Sequence, residues 1–214
     1  MIMIKVLNVG AFDVNCILLW ESQISNPKSQ NPAVVIDPGA DADAIEGALR
    51  ENGLTLSEIW LTHGHIDHIS ATMDLLKGLS APVPVRIHAA DAAWAFTPFN
   101  RFPPYRPMTG KPQNLSLVEE GTLLKAGAIE VKVLHTPGHS PGSVCYHLES
   151  ESVTLTGDTL FRRSVGRADL YGGDMGALRK SLKRLATLPE GTRVIPGHGP
   201  ETTIADEKRF NPYL

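Results

Sequence analysis

The chain has 214 residues, of which 42% are hydrophobic and 20% are charged. A chain of this composition can bury an apolar core, which excludes an intrinsically disordered protein. The formal net charge is -3, which argues against a nucleic-acid-binding protein, because such proteins usually carry a basic face.

The two cysteines, Cys16 and Cys145, both lie in apolar, strand-like runs. Two cysteines in such positions do not indicate a disulfide framework, and they fit a protein of a reducing compartment. The N-terminal residues lack the pattern of a secretory signal peptide, and no apolar run reaches the roughly 20 residues that a membrane span needs. We therefore expect a soluble, cytoplasmic protein without a membrane partner.

Short apolar runs open the chain, and the polar breaks between them predict β-strands in "IKVLNV", "CILLW" and "AVVIDPG". The polar stretch from Ser22 to Pro32 contains two prolines and predicts a hairpin loop. The segment "DADAIEGALRENG" predicts a helix, because its apolar residues recur at helical spacing and Gly53 follows its end.

The run "EIWLTH" predicts a buried strand, and a helix is expected next, from Asp67 to Leu79. "VPVRIH" predicts another strand, and "AADAAWAF" predicts a short helix. The segment from Thr97 to Gln113 has five prolines and no periodicity. Such a stretch is either a functional surface loop or a plain ordered one, and the sequence leaves both alternatives open.

Short strands return between Leu117 and Leu160, and "RVIPGHG" predicts a final strand and turn. Residues Met175 to Leu188 predict an amphipathic helix, and Ala205 to Arg209 predict a terminal one. This order of elements predicts two β-rich halves with helices on the outside, in a single domain over residues 1–214.

The stretch "LTHGHIDHIS" concentrates potential metal ligands at the end of a predicted strand. Histidines two residues apart can point the same way, whereas Asp67 and His68 on the following helical turn point in different directions, so the motif can serve two metals. Similar residues follow other apolar strands in turns flanked by glycine, which lets the backbone approach a site closely. The candidate ligands are His63, His65, Asp67, His68, His139, Asp158 and His198. This set of nitrogen and oxygen ligands favours Zn, Fe or Mn.

The motifs "THGHIDH", "HTPGHSPGS", "TGDTLF" and "PGHGP", in this order, resemble those of the metallo-β-lactamase superfamily. More closely, they resemble its glyoxalase II-like hydrolases of the short bacterial hydroxyacylglutathione hydrolase type. The resemblance extends from "NCILLW" almost to the C-terminus. It implies an α/β (α+β) fold, a four-layer αβ/βα sandwich of two mixed β-sheets flanked by helices.

The resemblance also implies a role for each candidate residue. His63, His65 and His139 would hold the first metal, and Asp67, His68 and His198 the second. Asp158 would bridge the two metals opposite a shared hydroxide, Asp37 would orient a ligand histidine, and Arg167 could bind a substrate carboxylate.

The sequence departs from two groups of relatives. Antibiotic-destroying metallo-β-lactamases lack an aspartate at the place of Asp158 and are exported. Full-length glyoxalase II enzymes carry a C-terminal helical segment that binds glutathione, whereas only 14 residues follow Pro200 here. We therefore expect a domain without that segment, which places glutathione recognition in doubt.

The sequence leads to the hypothesis of a binuclear metal-dependent hydrolase of small acyl thioesters. Two divalent metal ions per chain, zinc by expectation and iron or manganese as alternatives, would supply the bridging hydroxide. Asp67 and Asp158 would be the catalytic carboxylates, and a small-molecule thioester the partner. The alternative is a mononuclear Fe(II) persulfide dioxygenase that uses His63, His139 and Asp158. A catalytically silent metal-binding module is a third class.

Other polar residues receive structural interpretations. His88, His135 and His147 lie in or beside strands without a ligand-like neighbour, and we expect them to be structural. Arg162 and Arg163 belong to a basic cluster that fits a solvated face, and Cys145 is expected to be a buried apolar residue. The sequence does not specify the acyl group, the thiol carrier, the native metal or the oligomeric state.

Overall fold

The computed structural model of the protein describes residues 2–22, 31–108 and 110–214. Within these residues the strands form two six-stranded sheets and one two-stranded ribbon. The first sheet contains Ile2–Val9 (β1), Val14–Glu21 (β2), Asn31–Ile36 (β3), Leu54–Trp60 (β4), Val85–His88 (β5) and Leu115–Val118 (β6). The remaining strands are Leu123–Ala126 (β7), Ile129–His135 (β8), Val144–Leu148 (β9), Val153–Gly157 (β10), Leu160–Phe161 (β11), Ser164–Val165 (β12), Arg193–Pro196 (β13) and Thr202–Thr203 (β14).

Both sheets are mixed, as predicted. The first has the order β1-β2-β3-β4-β5-β6; its strands pair antiparallel up to β3 and parallel from β3 onward. The second has the order β14-β13-β10-β9-β8-β7, in which β10 and β13 are parallel. The strands β11 and β12 form the separate ribbon.

Helices cover the outer faces of the two sheets. They are Ala42–Glu51 (α1), Ile66–Ile69 (α2), Thr72–Leu76 (α3), Ala89–Ala92 (α4), Met175–Leu185 (α5) and Ile204–Phe210 (α6). Because side chains alternate along a strand, Ile17 and Leu19 of β2 pack in the apolar layer between the sheets. Leu18 of the same strand packs against the side of α1 and α3. A third cluster joins the outer face of the second sheet to α5 and α6. The result is the expected four-layer sandwich.

One predicted helix is wrong. The segment from Asp67 to Leu79 forms two short helices, α2 and α3, because the turn at Pro38 and Gly39 packs against it. The Ala71 amide donates to the Pro38 carbonyl at 3.0 Å, and a Cβ at Gly39 would lie 1.8 Å from the Asp67 carbonyl oxygen. That packing takes away the hydrogen bonds that a continuous helix would make at this point.

The predicted hairpin loop between Ser22 and Pro32 falls largely on residues 23–30, which lie outside the described residues. The strands on either side, β2 and β3, pair antiparallel, with Ile17 opposite Ile36. Among the described residues, no helix combines the length and the apolar character that crossing a lipid bilayer requires.

Candidate metal centre

All seven candidate ligands lie at one edge of the sandwich, where strands of both sheets end. His63 and His65 follow β4, His139 lies between β8 and β9, Asp158 follows β10, and His198 follows β13. At this edge the sheets are joined directly, because the Val144 amide donates to the Thr62 carbonyl at 2.8 Å and the Asn15 amide to the Gly197 carbonyl at 2.8 Å. The fold therefore brings together segments that are far apart in sequence.

His63, His65 and His139 form the first group, whose ligand atoms lie within 4.8 Å of one another. His139 Nε2 is 3.2 Å from His63 Nε2 and 2.8 Å from His65 Nδ1. Nitrogens held about 2.0–2.1 Å from one tetrahedral zinc ion lie roughly 3.3 Å apart. The three imidazoles thus converge at about the spacing of ligands around a cation.

Asp67, His68 and His198 form the second group. His68 Nε2 lies 3.1 Å from His198 Nε2, and Asp67 Oδ2 lies 3.5 Å from His198 Nε2. The loop that carries His198 needs glycine beside it, because a Cβ at Gly197 would lie 2.2 Å from Asp158 Oδ1. This close approach brings the second group against Asp158.

Asp158 reaches both groups. Its Oδ2 is 3.5 Å from His139 Nε2 and 3.6 Å from His198 Nε2, and its Oδ1 is 3.4 Å from His68 Nε2. Oδ1 is buried and has no hydrogen-bond partner among the described residues. Since buried carboxylate oxygens are almost always paired, this atom fits a position that faces a cation.

The outer nitrogens of four histidines are held by hydrogen bonds. His139 Nδ1 donates to the Arg167 carbonyl at 2.7 Å, and His198 Nδ1 donates to the Phe12 carbonyl at 2.8 Å. A carbonyl can only accept, so in the neutral rings the proton is on Nδ1 and the Nε2 lone pair faces the site. This arrangement is the usual one for metal-bound histidines.

Asp37 and Thr62 orient the other two histidines. Asp37 Oδ2 accepts from His68 Nδ1 at 3.0 Å and from the Thr62 hydroxyl at 2.6 Å. Because that hydroxyl donates to Asp37, it accepts from His63 Nδ1 at 3.0 Å. Asp37 also belongs to a possible ligand group with His63 and His68, but these hydrogen bonds occupy Oδ2, and the Thr62 amide donates to Oδ1 at 2.7 Å. We therefore favour an orienting role.

The electrostatics of the cluster keep several imidazoles unprotonated. Burial, followed by the neighbouring His139, lowers the pKa of His65 to about 3, and burial holds the pKa of His63 well below its ordinary value. Burial also opposes the charge on His68, but Asp158, Asp67 and Asp37 outweigh it and raise the His68 pKa to about 10. The neutral imidazoles of His63 and His65 are in the chemical form that binds a divalent cation, whereas His68 would release its proton when a cation binds.

Arg167 lies beside the site, but its guanidinium is already paired with a carboxylate of the chain. Its carbonyl orients His139, and its side chain lines the cavity above the site. The guanidinium makes two hydrogen bonds to the Asp169 carboxylate, at 2.6 and 2.8 Å. A substrate carboxylate would have to compete with Asp169 for this group.

The residues expected to be structural lie outside both ligand groups. The rings of His88 and His135 stack at 4.1 Å, and His147 Nδ1 is 2.8 Å from the Thr154 hydroxyl. Burial raises the pKa of the Cys145 thiol to about 11, which disfavours the reactive thiolate. The Arg163 guanidinium covers the Phe210 ring at 5.2 Å.

Asp91, a fully buried residue of α4, was not among the candidate residues predicted from the sequence. Its carboxylate accepts from the Gly64 amide at 2.8 Å, the Ser140 hydroxyl at 2.6 Å and the Gly142 amide at 2.7 Å. It therefore ties the loop of His63 and His65 to the loop of His139. A single acidic residue in a short helix after a strand does not indicate, from sequence alone, that its carboxylate connects two loops.

The Asp91→Asn variant should bind divalent metal about tenfold more weakly and lose roughly 1–3 kcal/mol of unfolding free energy. The amide would place a donor against one of the three donors that Asp91 now accepts. Chelator competition and urea denaturation measure the two effects. The matched control is Glu207→Gln, because Glu207 is also fully buried and accepts three hydrogen bonds, from Arg163, Thr202 and Asn211. Equal losses of metal affinity in both variants would contradict the proposed role of Asp91.

A cavity of about 840 Å³ opens directly above the two groups. Five of the seven candidate ligands line it: His65, Asp67, His139, Asp158 and His198. Much of the remaining lining is aromatic, and Phe99, Arg101 and Phe102 come from the proline-rich segment between Thr97 and Gln113. This observation favours the functional interpretation of that segment.

Comparison with known proteins agrees with this geometry. A sequence profile of the Metallo-beta-lactamase superfamily matches residues 9–198. The chain is 34% identical over 218 residues to the hydroxyacylglutathione hydrolase GloC of Haemophilus influenzae, covering 99% of this chain and 97% of the relative. It is similar to the crystal structure of BLEG-1 B3 metallo-beta-lactamase, with a TM-score of 0.87, 39% identity and 99% of both chains covered. It is also similar to TTHA1623 in a di-iron-bound form, with a TM-score of 0.79, 35% identity and coverage of 98% of this chain and 100% of that one.

Proposed function

The chain belongs to the metallo-β-lactamase superfamily, and from this premise we propose that it is a binuclear metal-dependent hydrolase of small acyl thioesters. The relationship to the hydroxyacylglutathione hydrolase GloC supports the thioester as substrate class. Both cysteines are free and buried, which supports a reducing compartment such as the cytoplasm.

The observation that carries the proposal is the position of Asp158. Its two carboxylate oxygens lie within 3.4–3.6 Å of His68, His139 and His198, so one side chain connects the two ligand groups. The unpartnered buried oxygen Oδ1 is a costly feature in a protein without cations. Cations held by the two ligand groups would remove that cost.

We assign His63, His65 and His139 to the first cation and Asp67, His68 and His198 to the second. Zinc is our first assignment, with iron or manganese as alternatives, and the di-iron form of TTHA1623 supports keeping iron among them. When bound, such cations lower the pKa of a water molecule, so that a hydroxide nucleophile is available near neutral pH, and they act as Lewis acids.

The chain's own residues then have defined tasks. Asp67 and Asp158 present carboxylate oxygens that accept hydrogen bonds from the attacking water and orient it. Asp37, Thr62 and the carbonyls of Phe12 and Arg167 keep the histidines in the required tautomer and orientation. A thiolate is a good leaving group, so the reaction needs no strong general acid from the protein.

The test combines metal analysis with a substrate panel on the purified chain. We expect about two metals per chain and turnover of S-lactoylglutathione. One iron per chain, with oxygen uptake on glutathione persulfide, would instead support the dioxygenase that uses His63, His139 and Asp158. The panel includes a lactone, an ester and a β-lactam, the last because BLEG-1 is named a metallo-beta-lactamase. Turnover of the β-lactam without turnover of thioesters would overturn the proposal.

A further inference from the structure

The cavity above the candidate metal centre is large for the acyl group of a lactoyl thioester. Its volume of about 840 Å³ lies in the range that accommodates drug-sized ligands. The residues that line it beyond the metal-facing side chains therefore bear on which substrate it takes.

One side of the cavity is an aromatic wall next to the first ligand group. The Trp94 ring lies 5.4 Å from the His65 ring, and Tyr171 packs at 5.7 Å against Trp94. Tyr171 remains 71% exposed, so its ring is open to a bound group. We call Trp94 and Tyr171 the first wall.

The cavity has a second wall next to the second ligand group, made of Phe12, Phe102 and Phe161. The Phe161 ring lies 6.1 Å from the His198 ring. Phe12 accepts the His198 hydrogen bond through its carbonyl, and its ring packs edge-on against Phe102 at 5.8 Å. Both Phe12 and Phe102 are partly exposed, so they offer apolar surface next to the site.

Charged recognition groups are scarce in the same cavity. Apart from the histidines, the cations among its described lining residues are Arg101 and Arg167, and Arg167 is paired with Asp169. Arg101 is the other lining cation, and no described residue pairs with it. A tripeptide thiol such as glutathione carries two carboxylates and an ammonium, which this lining is poorly equipped to bind.

We propose that the cavity takes an acyl thioester with an apolar acyl group, either a medium-length alkyl chain or an aryl group, held between the two aromatic walls. The inference rests on the proposed hydrolase function. In the reaction, water adds to the thioester carbonyl carbon and the carbon–sulfur bond breaks. The acyl group leaves as a carboxylate, and the sulfur leaves as a thiol, with one proton released. We choose a substrate over a second copy of the chain as occupant, because both walls border the cavity that the metal-facing residues line.

The test uses the metal-loaded chain and a series of S-acyl-N-acetylcysteamine thioesters from acetyl to octanoyl, with a benzoyl member. We expect kcat/KM to rise about twofold for each added methylene, less than full burial of a methylene would give because the cavity is open. The Phe102→Ala variant should lose about tenfold on the octanoyl thioester and less on the acetyl one. The control Phe210→Ala removes a partly exposed phenylalanine of α6 outside the cavity lining and should keep the wild-type ratio.

Binding is measured separately, by calorimetry with the non-hydrolysable S-octyl and S-methyl thioethers of N-acetylcysteamine. Tighter binding of the octyl compound is expected, and equal binding would overturn this inference whether or not any thioester is turned over. Turnover that stays flat or falls with chain length would overturn it while leaving the hydrolase proposal intact. Absence of turnover on every thioester would overturn the hydrolase proposal. A dimer that dissociates in Phe102→Ala, with unchanged chain-length dependence, would assign the aromatic walls to self-association and overturn the inference.

Discussion

Replacing Asp67 by alanine is expected to lower kcat/KM for S-lactoylglutathione by about 10²–10⁴-fold. Asp67 Oδ2 lies 3.5 Å from His198 Nε2 and 3.8 Å from His68 Nε2, so it is the only carboxylate of the second ligand group among the described residues. Burial opposes its ionisation, but His68 and His198 outweigh burial and lower the Asp67 pKa well below its ordinary value. The loss of this anion should weaken the binding of the second cation and remove an acceptor that orients the attacking water.

The measurement pairs steady-state kinetics with elemental analysis of the same preparation. Metal content should fall from about two per chain toward one, together with turnover. Asp43→Ala is the control, because Asp43 is an exposed aspartate of α1 outside the site. Undiminished turnover in Asp67→Ala would refute the assigned mechanism.

The Asp37→Asn variant should bind metal about 10–100-fold more weakly and lose roughly 2–3 kcal/mol of unfolding free energy. Asp37 is buried and accepts from the Thr62 amide at 2.7 Å, the Thr62 hydroxyl at 2.6 Å and His68 Nδ1 at 3.0 Å. Its backbone has a positive φ of 51°, which asparagine tolerates better than most residues. The substitution therefore preserves the turn and changes one acceptor oxygen into a donor.

Chelator competition and urea denaturation measure these two effects. Asp41→Asn is a close control, because Asp41 also has a positive φ, of 54°, and its exposed carboxylate accepts from the Gly10 amide at 2.8 Å. That variant should change metal affinity little. Wild-type metal affinity in Asp37→Asn would exclude an orienting role for this carboxylate.

The order of strands and helices and the candidate ligands could be predicted from the sequence, and the resemblance of its motifs to a known family implied the fold class. Strands such as β2 and β4 are readable because buried apolar runs between polar breaks depend on neighbouring residues alone. The histidines and aspartates that follow those runs lie in short, glycine-flanked motifs, which carry their own signal. Their assignment to particular metals stays a prediction, but the fold brings all seven to one edge of the sandwich.

Features that depend on contacts between distant segments become visible only in the folded chain. The break between α2 and α3 arises because Pro38 accepts a hydrogen bond from Ala71, and no local pattern encodes that contact. Asp91 joins two loops through backbone amides, which any sequence supplies. The partners of His139 and His198 are likewise main-chain carbonyls, so residue identity carries no trace of them.

The arrangement of the side chains around the cavity also depends on contacts that no local sequence pattern encodes. The sequence proposed Arg167 as a carboxylate-binding cation, whereas the structure pairs it with Asp169 two residues along. The aromatic walls combine residues from segments as far apart as Phe12 and Tyr171. The packing of the loops at the edge of the two sheets sets the distances between these rings. Because hydrophobic burial is non-directional, the identity of an aromatic residue does not indicate which other rings it will contact. The candidate metal ligands lie in local motifs and can therefore be identified from the sequence. The shape of the cavity that would select a substrate exists only once the chain is folded.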